Sequence, residues 1–300
     1  MKKRVLVIGG SGLVGSRFIE LTKLKESILA PKERALDITD ASSVESFFKK
    51  NLGINIVINF AAYTDVAKAE EQRGDKKGLA WKINAVGAEN IAKIAKKYGS
   101  FLIFISTDFI FEGTKDKPVP YKEDAKLPRF SDKISWYGWT KLVGEKMVRK
   151  YCSNSAIVRI AYPFRVEYDE KVDFARKILE LYDAGKLYPL FTDQIITPLF
   201  IDELVKPLEK LVGLKSSGTY HLVTRDAVSY YEFGEYLIRK ARGKKNAPDK
   251  GSLVKFLKTP GRNPRPIYGG LASEKTQKIL GMKFRTWKQS VDEFVRQLKK

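Results

Sequence analysis

The chain has 300 residues, 43% of them hydrophobic and 30% charged, a length and composition that let it bury a full core in one large domain or two closely joined ones. A single cysteine and a single histidine exclude an intramolecular disulfide and a Cys- or His-rich metal centre, and no apolar run approaches the ~18 residues of a membrane span. The formal charge of +21 makes nucleic acid the first partner to consider. The lysines, however, are spread along helical faces among glutamates (Lys93, Lys96 and Lys97; Lys141, Lys146 and Lys150) and accompany no nucleic-acid-binding motif. The charge therefore reads as a solvated surface of the kind enriched in heat-adapted proteins, and a soluble cytoplasmic chain without nucleic-acid or membrane partners is expected.

Up to about residue 160, short β-branched runs alternate with amphipathic helical stretches. RVLVIGG is followed by a helical pattern over 13–24, then come NIVINFAA, FLIFISTD and AIVRIAY with helices between. Such alternation predicts parallel strands joined by crossover helices, and runs as apolar as INIVINF and FLIFIS belong to strands covered on both faces. The fold class is α/β, a doubly wound parallel sheet of the Rossmann type. Beyond Tyr162-Pro163 the order loosens: a helix is predicted over 172–184, a Pro-bounded segment near 189–198 and a helix starting close to Asp202. Loop signals in GKKNAPDKG and TPGRNPRPIYGG precede a closing helix with Trp287 and Phe294. Residues 1–163 are expected to form a dinucleotide-binding domain to which segments near 192–225 return, with 164–191 and 226–300 forming a smaller, partly discontinuous substrate lobe.

The first strand runs straight into Gly9-Gly10-Ser11-Gly12-Leu13-Val14-Gly15 and then into a helix. Gly9 permits a tight turn, Gly12 lets backbone N–H groups approach a pyrophosphate, and Gly15 allows close helix–strand packing at a helix end of positive potential. About 20 residues beyond this motif, where the adenosine ribose is held in such folds, Lys32 and Arg34 flank Glu33. Two cations there favour a 2′-phosphate, so the reading leans to NADPH over NADH, with water-facing loop charges as the alternative.

Tyr137 and Lys141 stand four apart, on one face of a helix. A phenol has an ordinary pKa near 10, and it gives up a proton readily only beside a group that stabilises its anion, which an ammonium does. The strand FLIFIS ends in Ser106-Thr107-Asp108, at the end of a parallel strand where ligands bind, so the Thr107 hydroxyl is placed for a substrate oxygen. A glycine turn, a strand-end hydroxyl and a Tyr/Lys helix together suit carbonyl reduction. Asn59 and Asn84 are candidates for supporting hydrogen bonds, with strand-end and helix-cap roles as alternatives. His221, inside the strand-like run GTYHLV, reads as structural.

With these features on one chain, the sequence resembles the extended short-chain dehydrogenase/reductase superfamily and, within it, the dTDP-4-dehydrorhamnose reductase family. The resemblance is carried by LDITD at 36–40, INFAAYT at 58–64, KAE at 68–70, STDFIFEG at 106–113, PYKEDA at 120–125, YGWTKLVGEK at 137–146, TDQIITP at 192–198, GTYHLV at 218–223 and RPIYGGL at 265–271. Read alone, Asp40 in LDITD is a helix cap and PYKEDA an exposed turn. The resemblance implies that Tyr137 donates the proton, Lys141 binds the nicotinamide ribose and lowers the Tyr pKa, and Thr107 holds the substrate carbonyl. It also implies that Gly9, Ser11, Gly12, Leu13, Val14 and Gly15 meet the pyrophosphate, that Asp37 and Ile38 line the adenine pocket, and that Ala61, Ala62 and Tyr63 line the other side of the cofactor. The implied substrate is a dTDP-linked 4-keto-6-deoxy sugar reduced by NADPH or NADH. Mg²⁺ at a subunit contact is implied by the family alone, with no ligands identified here, and a homo-oligomer is expected on general grounds.

The departures fall in presumed substrate-facing segments: Val66-Ala67-Lys68-Ala69-Glu70 for VDKAE, Pro198-Leu199 for Pro-Thr, Gly269 for the Ser of RPxxSxL, Asp173-Phe174 for Asn-Phe, and a longer stretch between Pro128 and Tyr137. They leave the exact sugar nucleotide open. Two other functions share this fold and these motifs: a dinucleotide-binding regulator like the beta subunit of methionine adenosyltransferase, and a sugar-nucleotide epimerase or dehydratase.

Overall fold

A computed structural model describes residues 4–114, 120–243 and 246–299. Its centre is a six-stranded parallel sheet of β1 (Arg4–Ile8), β2 (Ile28–Leu29), β3 (Ile54–Asn59), β4 (Phe101–Thr107), β5 (Ser155–Ile160) and β6 (Gly218–His221), in the order β2-β1-β3-β4-β5-β6. The chain steps from β1 to one side for β2 and to the other for β3, which makes the carboxyl end of β1 the topological switch point. The sheet thus has the doubly wound parallel form that the alternating pattern predicts. At two residues, β2 is too short to leave a periodic signal in the sequence.

Strand alternation divides the core between the two faces. Val5, Val7, Ile56, Ile58, Ile103 and Ile105 pack with Phe18 of α1 (Leu13–Leu21) and with Leu208 and Leu211, which lie in a later helix, Val205–Leu214. Leu6, Ile8, Val57, Leu102 and Phe104 face the opposite way. They pack on Val44 and Phe48 of α2 (Ala41–Lys50), Ile91 and Ala95 of α3 (Gly87–Lys97), and Val148 of α4 (Trp136–Tyr151). Period-2 alternation with apolar residues on both faces is what a sheet sandwiched between helix layers requires. Asp40 caps α2, accepting from the Ser42 backbone N–H at 2.9 Å.

A second apolar cluster gathers Phe164, Phe200, Phe233, Trp287 and Phe294 between α5 (Phe174–Asp183), the helix Tyr230–Arg242 and the closing helix Trp287–Leu298. β6 extends the main sheet beside β5, and the single histidine, His221, is buried there with its Nδ1 2.8 Å from the Ala272 carbonyl oxygen. PYKEDA is not an exposed turn. Tyr121 stacks on Phe111 with ring centroids 4.2 Å apart, and buried Glu123 accepts from the Thr276 hydroxyl at 2.7 Å. Of the loop GKKNAPDKG, residues 244 and 245 lie outside the described residues. No helix among the described residues is long and apolar enough to cross a membrane.

Candidate active site

Because the six strands are parallel, the residues following β1, β3, β4 and β5 meet at one edge of the sheet. At the first of these positions Gly9 has φ +74°, and a Cβ there would fall 2.5 Å from the Ala61 backbone nitrogen. Only glycine lets the turn after β1 lie against the chain leaving β3. A Cβ on Gly15 would stand 2.3 Å from the Gly9 carbonyl oxygen, so α1 can rest on the turn only without one. At Gly12 the same atom would meet nothing closer than that oxygen at 3.4 Å, so no packing demand of the fold explains this glycine. Gly12 is the N-cap of α1, with no side-chain cap and no acid in the first turn, and its neighbour Ser11 is exposed. The free N–H groups and the helix dipole make this end an anion cradle that fits a dinucleotide pyrophosphate.

Beyond β3, Asn59 accepts from the Ala61 N–H at 3.0 Å, in its expected strand-end role. Asn84 is not a helix cap. It lies in a π-helical turn, Lys82–Val86, where its Oδ1 accepts from the Tyr63 N–H at 2.9 Å and its amide donates to the Tyr63 carbonyl and to the Thr140 hydroxyl, at 3.1 and 3.0 Å. The widened turn aims a buried side chain at two elements at once, fixing the 61–63 segment to α4. Ile38 is buried and Asp37 exposed beside it. A Cβ on Gly87 would lie 2.7 Å from Ile38 Cδ1, so α3 closes tightly on this residue. Lys32, Glu33 and Arg34 are all exposed.

The catalytic candidates come together at the end of β4. Helix α4 is capped by Ser135, whose side chain accepts from the Gly138 N–H at 3.1 Å. A Cβ on Gly138 would be 2.0 Å from the Phe109 carbonyl oxygen, so glycine here seats the first turn of α4 on the 108–110 turn. Tyr137 is thereby held edge-on to Phe109, ring centroids 5.6 Å apart, beside Thr107. Burial raises the Tyr137 pKa to about 12, although the Thr107 hydroxyl pulls it down.

Lys141 does not belong to the solvated helical face. It is 2% exposed, donates to the Ile105 carbonyl at 2.7 Å and lies 4.2 Å from the centroid of the Phe104 ring. Burial brings its pKa down to about 7, with Glu145 opposing. One turn further along, Glu145 pairs with Arg159 of β5 through bonds of 3.0 and 2.9 Å, both side chains 1% exposed. This pair anchors α4 to the sheet.

Several residues at this edge carried no separate signal in the sequence. Tyr162 follows β5 with φ +43°, a backbone conformation held against its steric cost, and accepts from Gln194 Nε2 at 2.6 Å. From the same segment, Tyr168 donates to the Ser11 carbonyl at 2.7 Å and Lys171 to the Thr64 hydroxyl at 2.9 Å. Buried Arg165 donates to Ser16 and to both carboxylate oxygens of Glu20 on α1. Residues 165–171 therefore strap the glycine turn to the segment after β3.

No group of three or more His, Cys, Asp or Glu side chains among the described residues is placed to hold a metal ion. Where acids come together near α1, arginine already engages them: Arg17 forks onto Asp202 at 2.6 and 2.8 Å. The Mg²⁺ implied by resemblance thus finds no donor set among these residues of one chain.

The sequence matches the family described as "RmlD substrate binding domain" over residues 2–300. The chain belongs to this family. It is similar to a dTDP-4-dehydrorhamnose reductase of Mycolicibacterium smegmatis, 29% identical over 98% of this chain and 86% of that protein, and to one of Escherichia coli, 27% identical over 98% and 97%. Among solved structures it resembles a dTDP-4-dehydrorhamnose reductase of Bacillus anthracis in complex with NADP, with TM-score 0.86 and 28% identity, covering 99% of this chain and 100% of that one.

Proposed function

We propose that this RmlD-family protein is an NADPH-dependent reductase of the 4-keto group of a dTDP-linked 6-deoxy sugar, with dTDP-4-dehydrorhamnose as its first candidate substrate. The observation that carries the reading is the meeting of Thr107, Tyr137 and Lys141 at the carboxyl edge of a sheet whose first turn is an anion cradle. The names of the relatives support the substrate class, and the NADP in the Bacillus anthracis structure supports the cofactor.

In this reading the backbone around Gly9, Ser11, Gly12, Leu13, Val14 and Gly15 receives the pyrophosphate, Asp37 and Ile38 border the adenine, and Ala61, Ala62 and Tyr63 border the opposite side. Lys32 and Arg34 are exposed and free to meet a 2′-phosphate, which is the basis for preferring NADPH. The bound reduced nicotinamide supplies hydride to the sugar C4. Tyr137 gives its phenolic proton to the carbonyl oxygen as charge develops there, and Thr107 holds that oxygen by a hydrogen bond. Lys141, charged in the loaded enzyme, stabilises the phenolate left behind and holds a ribose hydroxyl of the cofactor.

The direct test is NADPH oxidation with dTDP-4-dehydrorhamnose. Stoichiometric consumption establishes the reductase; conversion of the sugar without net NADPH loss indicates an epimerase or dehydratase instead. Tight NADPH binding without turnover of any dTDP-4-keto sugar overturns the reading.

A further inference from the structure

Asp108 is a buried titratable group next to the catalytic candidates that the reaction above leaves without a role. It is 1% exposed, one residue beyond Thr107, and the two side chains are joined: Thr107 Oγ1 and Asp108 Oδ1 are 3.1 Å apart. The second carboxyl oxygen, Oδ2, has no hydrogen-bond partner. On its open side lies Gly269, where a Cβ would come 3.2 Å from Oδ2, and a glycine offers that oxygen no side-chain donor. Asp108 acts on the phenols of Tyr137 from α4 and of Tyr162 from the segment after β5 and disfavours the charged form of both, while Lys141 of α4 donates to the Ile105 carbonyl two residues before Thr107. Arg265, from the C-terminal segment, acts on Tyr162 and Tyr230. A carboxylate here would be buried with little compensation.

The hydrogen-bond capacity of Thr107 then decides what it can offer a substrate. A hydroxyl has one hydrogen and two lone pairs. The Phe109 N–H, 3.3 Å away, uses one lone pair. If Asp108 is a carboxylate, the single hydrogen of Thr107 goes to it, and the remaining lone pair faces Tyr137. The phenol would then donate to Thr107, and a substrate carbonyl would meet no donor from Thr107. If Asp108 carries a proton, the acid O–H donates to the second lone pair, and the Thr107 hydrogen is free for the substrate oxygen.

We propose that Asp108 is a positioning residue that works in its protonated form, turning the Thr107 hydroxyl toward the substrate carbonyl. Burial, only partly opposed by the Thr107 hydroxyl and the backbone N–H groups of Asp108 and Phe109, raises its pKa to about 7, so the acid form is available near neutral pH. Gly269, the residue facing Oδ2, carries no hydroxyl that could stabilise the carboxylate. The role in turnover rests on the reductase reading, whereas the state of the carboxyl group does not.

The test compares wild type with Asp108→Asn, as NADPH-saturated enzyme, between about pH 6 and about pH 9. An amide can donate to Thr107 at every pH. The expected result is a wild-type kcat for dTDP-4-dehydrorhamnose that falls about tenfold per pH unit above the Asp108 pKa. In Asp108→Asn, kcat is lowered less than about tenfold and does not fall over this range, because removing one aligned donor outright costs about 10²–10³ and here a donor is kept. A falling limb that persists unchanged in the variant belongs to another group, such as Lys141, and overturns the proposal. Infrared difference spectra of the same two NADPH complexes give a readout independent of turnover. A carboxylic C=O band in wild type that is absent from the variant and bleaches as pH rises supports the proposal, and no such band at about pH 6 overturns it. If the sugar nucleotide is not turned over at all, the reductase reading falls and the infrared band alone decides the state of Asp108.

Discussion

The ammonium of Lys141 donates to the Ile105 carbonyl at 2.7 Å, beneath the strand end that carries Thr107, so helix α4 and strand β4 are joined through the cation itself. A buried Lys with one backbone acceptor is poorly compensated, and its pKa falls to about 7. The consequence for stability has a definite sign. Below about pH 7 the group is charged in both folded and unfolded chains. Between about 7 and the ordinary value of 10.5 the unfolded chain holds the extra proton, so folding stability from this group rises with pH across that window. On the proposed reading the bound cofactor's ribose hydroxyls and phosphates favour the ammonium, so NADPH binding at about pH 8 should take up close to one proton. Calorimetry in buffers of different ionisation enthalpy measures this uptake. Lys141→Met should abolish it, and an equal uptake in both proteins would place the titrating group elsewhere.

The glycines of the first turn separate packing from binding. Gly15→Ala puts a methyl 2.3 Å from the Gly9 carbonyl oxygen, a backbone atom that has little room to give. The overpacking should cost about 1–3 kcal/mol, seen as a lower denaturation midpoint without any ligand. At Gly12 the nearest atom would be 3.4 Å away, so Gly12→Ala should fold with nearly unchanged stability. On the proposed reading the methyl stands where the pyrophosphate approaches, and the Kd for NADPH should rise about tenfold or more. Unaltered NADPH affinity in Gly12→Ala would remove this glycine from the cofactor site.

Tyr137→Phe deletes only the phenolic oxygen and keeps the ring against Phe109, 5.6 Å between centroids. NADPH affinity should stay within about threefold of wild type while kcat drops about 10²-fold or more, the scale of a lost general acid. Stopped-flow turnover beside fluorescence titration distinguishes the two effects. Equal losses in both would mean that the tyrosine serves binding and not proton transfer.

Much of this arrangement was legible in the sequence because it rests on local patterns. The β-branched runs, the glycine turn and the four-residue Tyr/Lys spacing each encode geometry over a few residues: the runs form the strands of the sheet, and the turn and the start of the Tyr/Lys helix lie at its carboxyl edge. What local pattern does not encode is which polar side chains are buried. Lys141 and Lys146 look alike on a helix, yet only Lys141 is enclosed by the sheet, because Phe104 and Ile105 lie beneath it. Glu123 in an apparently polar turn is buried by a contact with Thr276 made across 153 residues. The strap over 165–171 escaped for the same reason, since its partners Ser11, Ser16 and Thr64 are far away in sequence.

The Glu145–Arg159 pair should be worth far more than the surface pairs. Both contacts are bidentate, but Glu145 and Arg159 are each 1% exposed, whereas Arg242 and Asp183 are 33% and 47% exposed. Removing one member of a buried pair strands the other, so Glu145→Ala should cost about 3–5 kcal/mol. Asp183→Ala should cost less than about 1 kcal/mol. Urea denaturation of both variants checks the ratio, and similar small losses would mean that water reaches Arg159.

Tyr168 tests whether the strap governs cofactor release. Its hydroxyl donates to the Ser11 carbonyl at 2.7 Å, and Arg165 holds the root of the same segment to Ser16 at 2.8 Å and to Glu20. Tyr168→Phe removes only the exposed contacts of the hydroxyl, to the Ser11 carbonyl and to Glu170, and leaves the Arg165 anchor in place, so the fold should lose about 1 kcal/mol at most. If NADPH leaves past this segment, its dissociation rate should increase about two- to tenfold while the association rate stays near wild type, since opening then replaces a step that had to break the Ser11 contact. Stopped-flow displacement of NADPH by excess NADP⁺ reads both rates. A dissociation rate equal to wild type would show that the cofactor leaves by a route the strap does not cover, and Arg165→Ala, with its larger loss of anchoring, would then change stability without changing release.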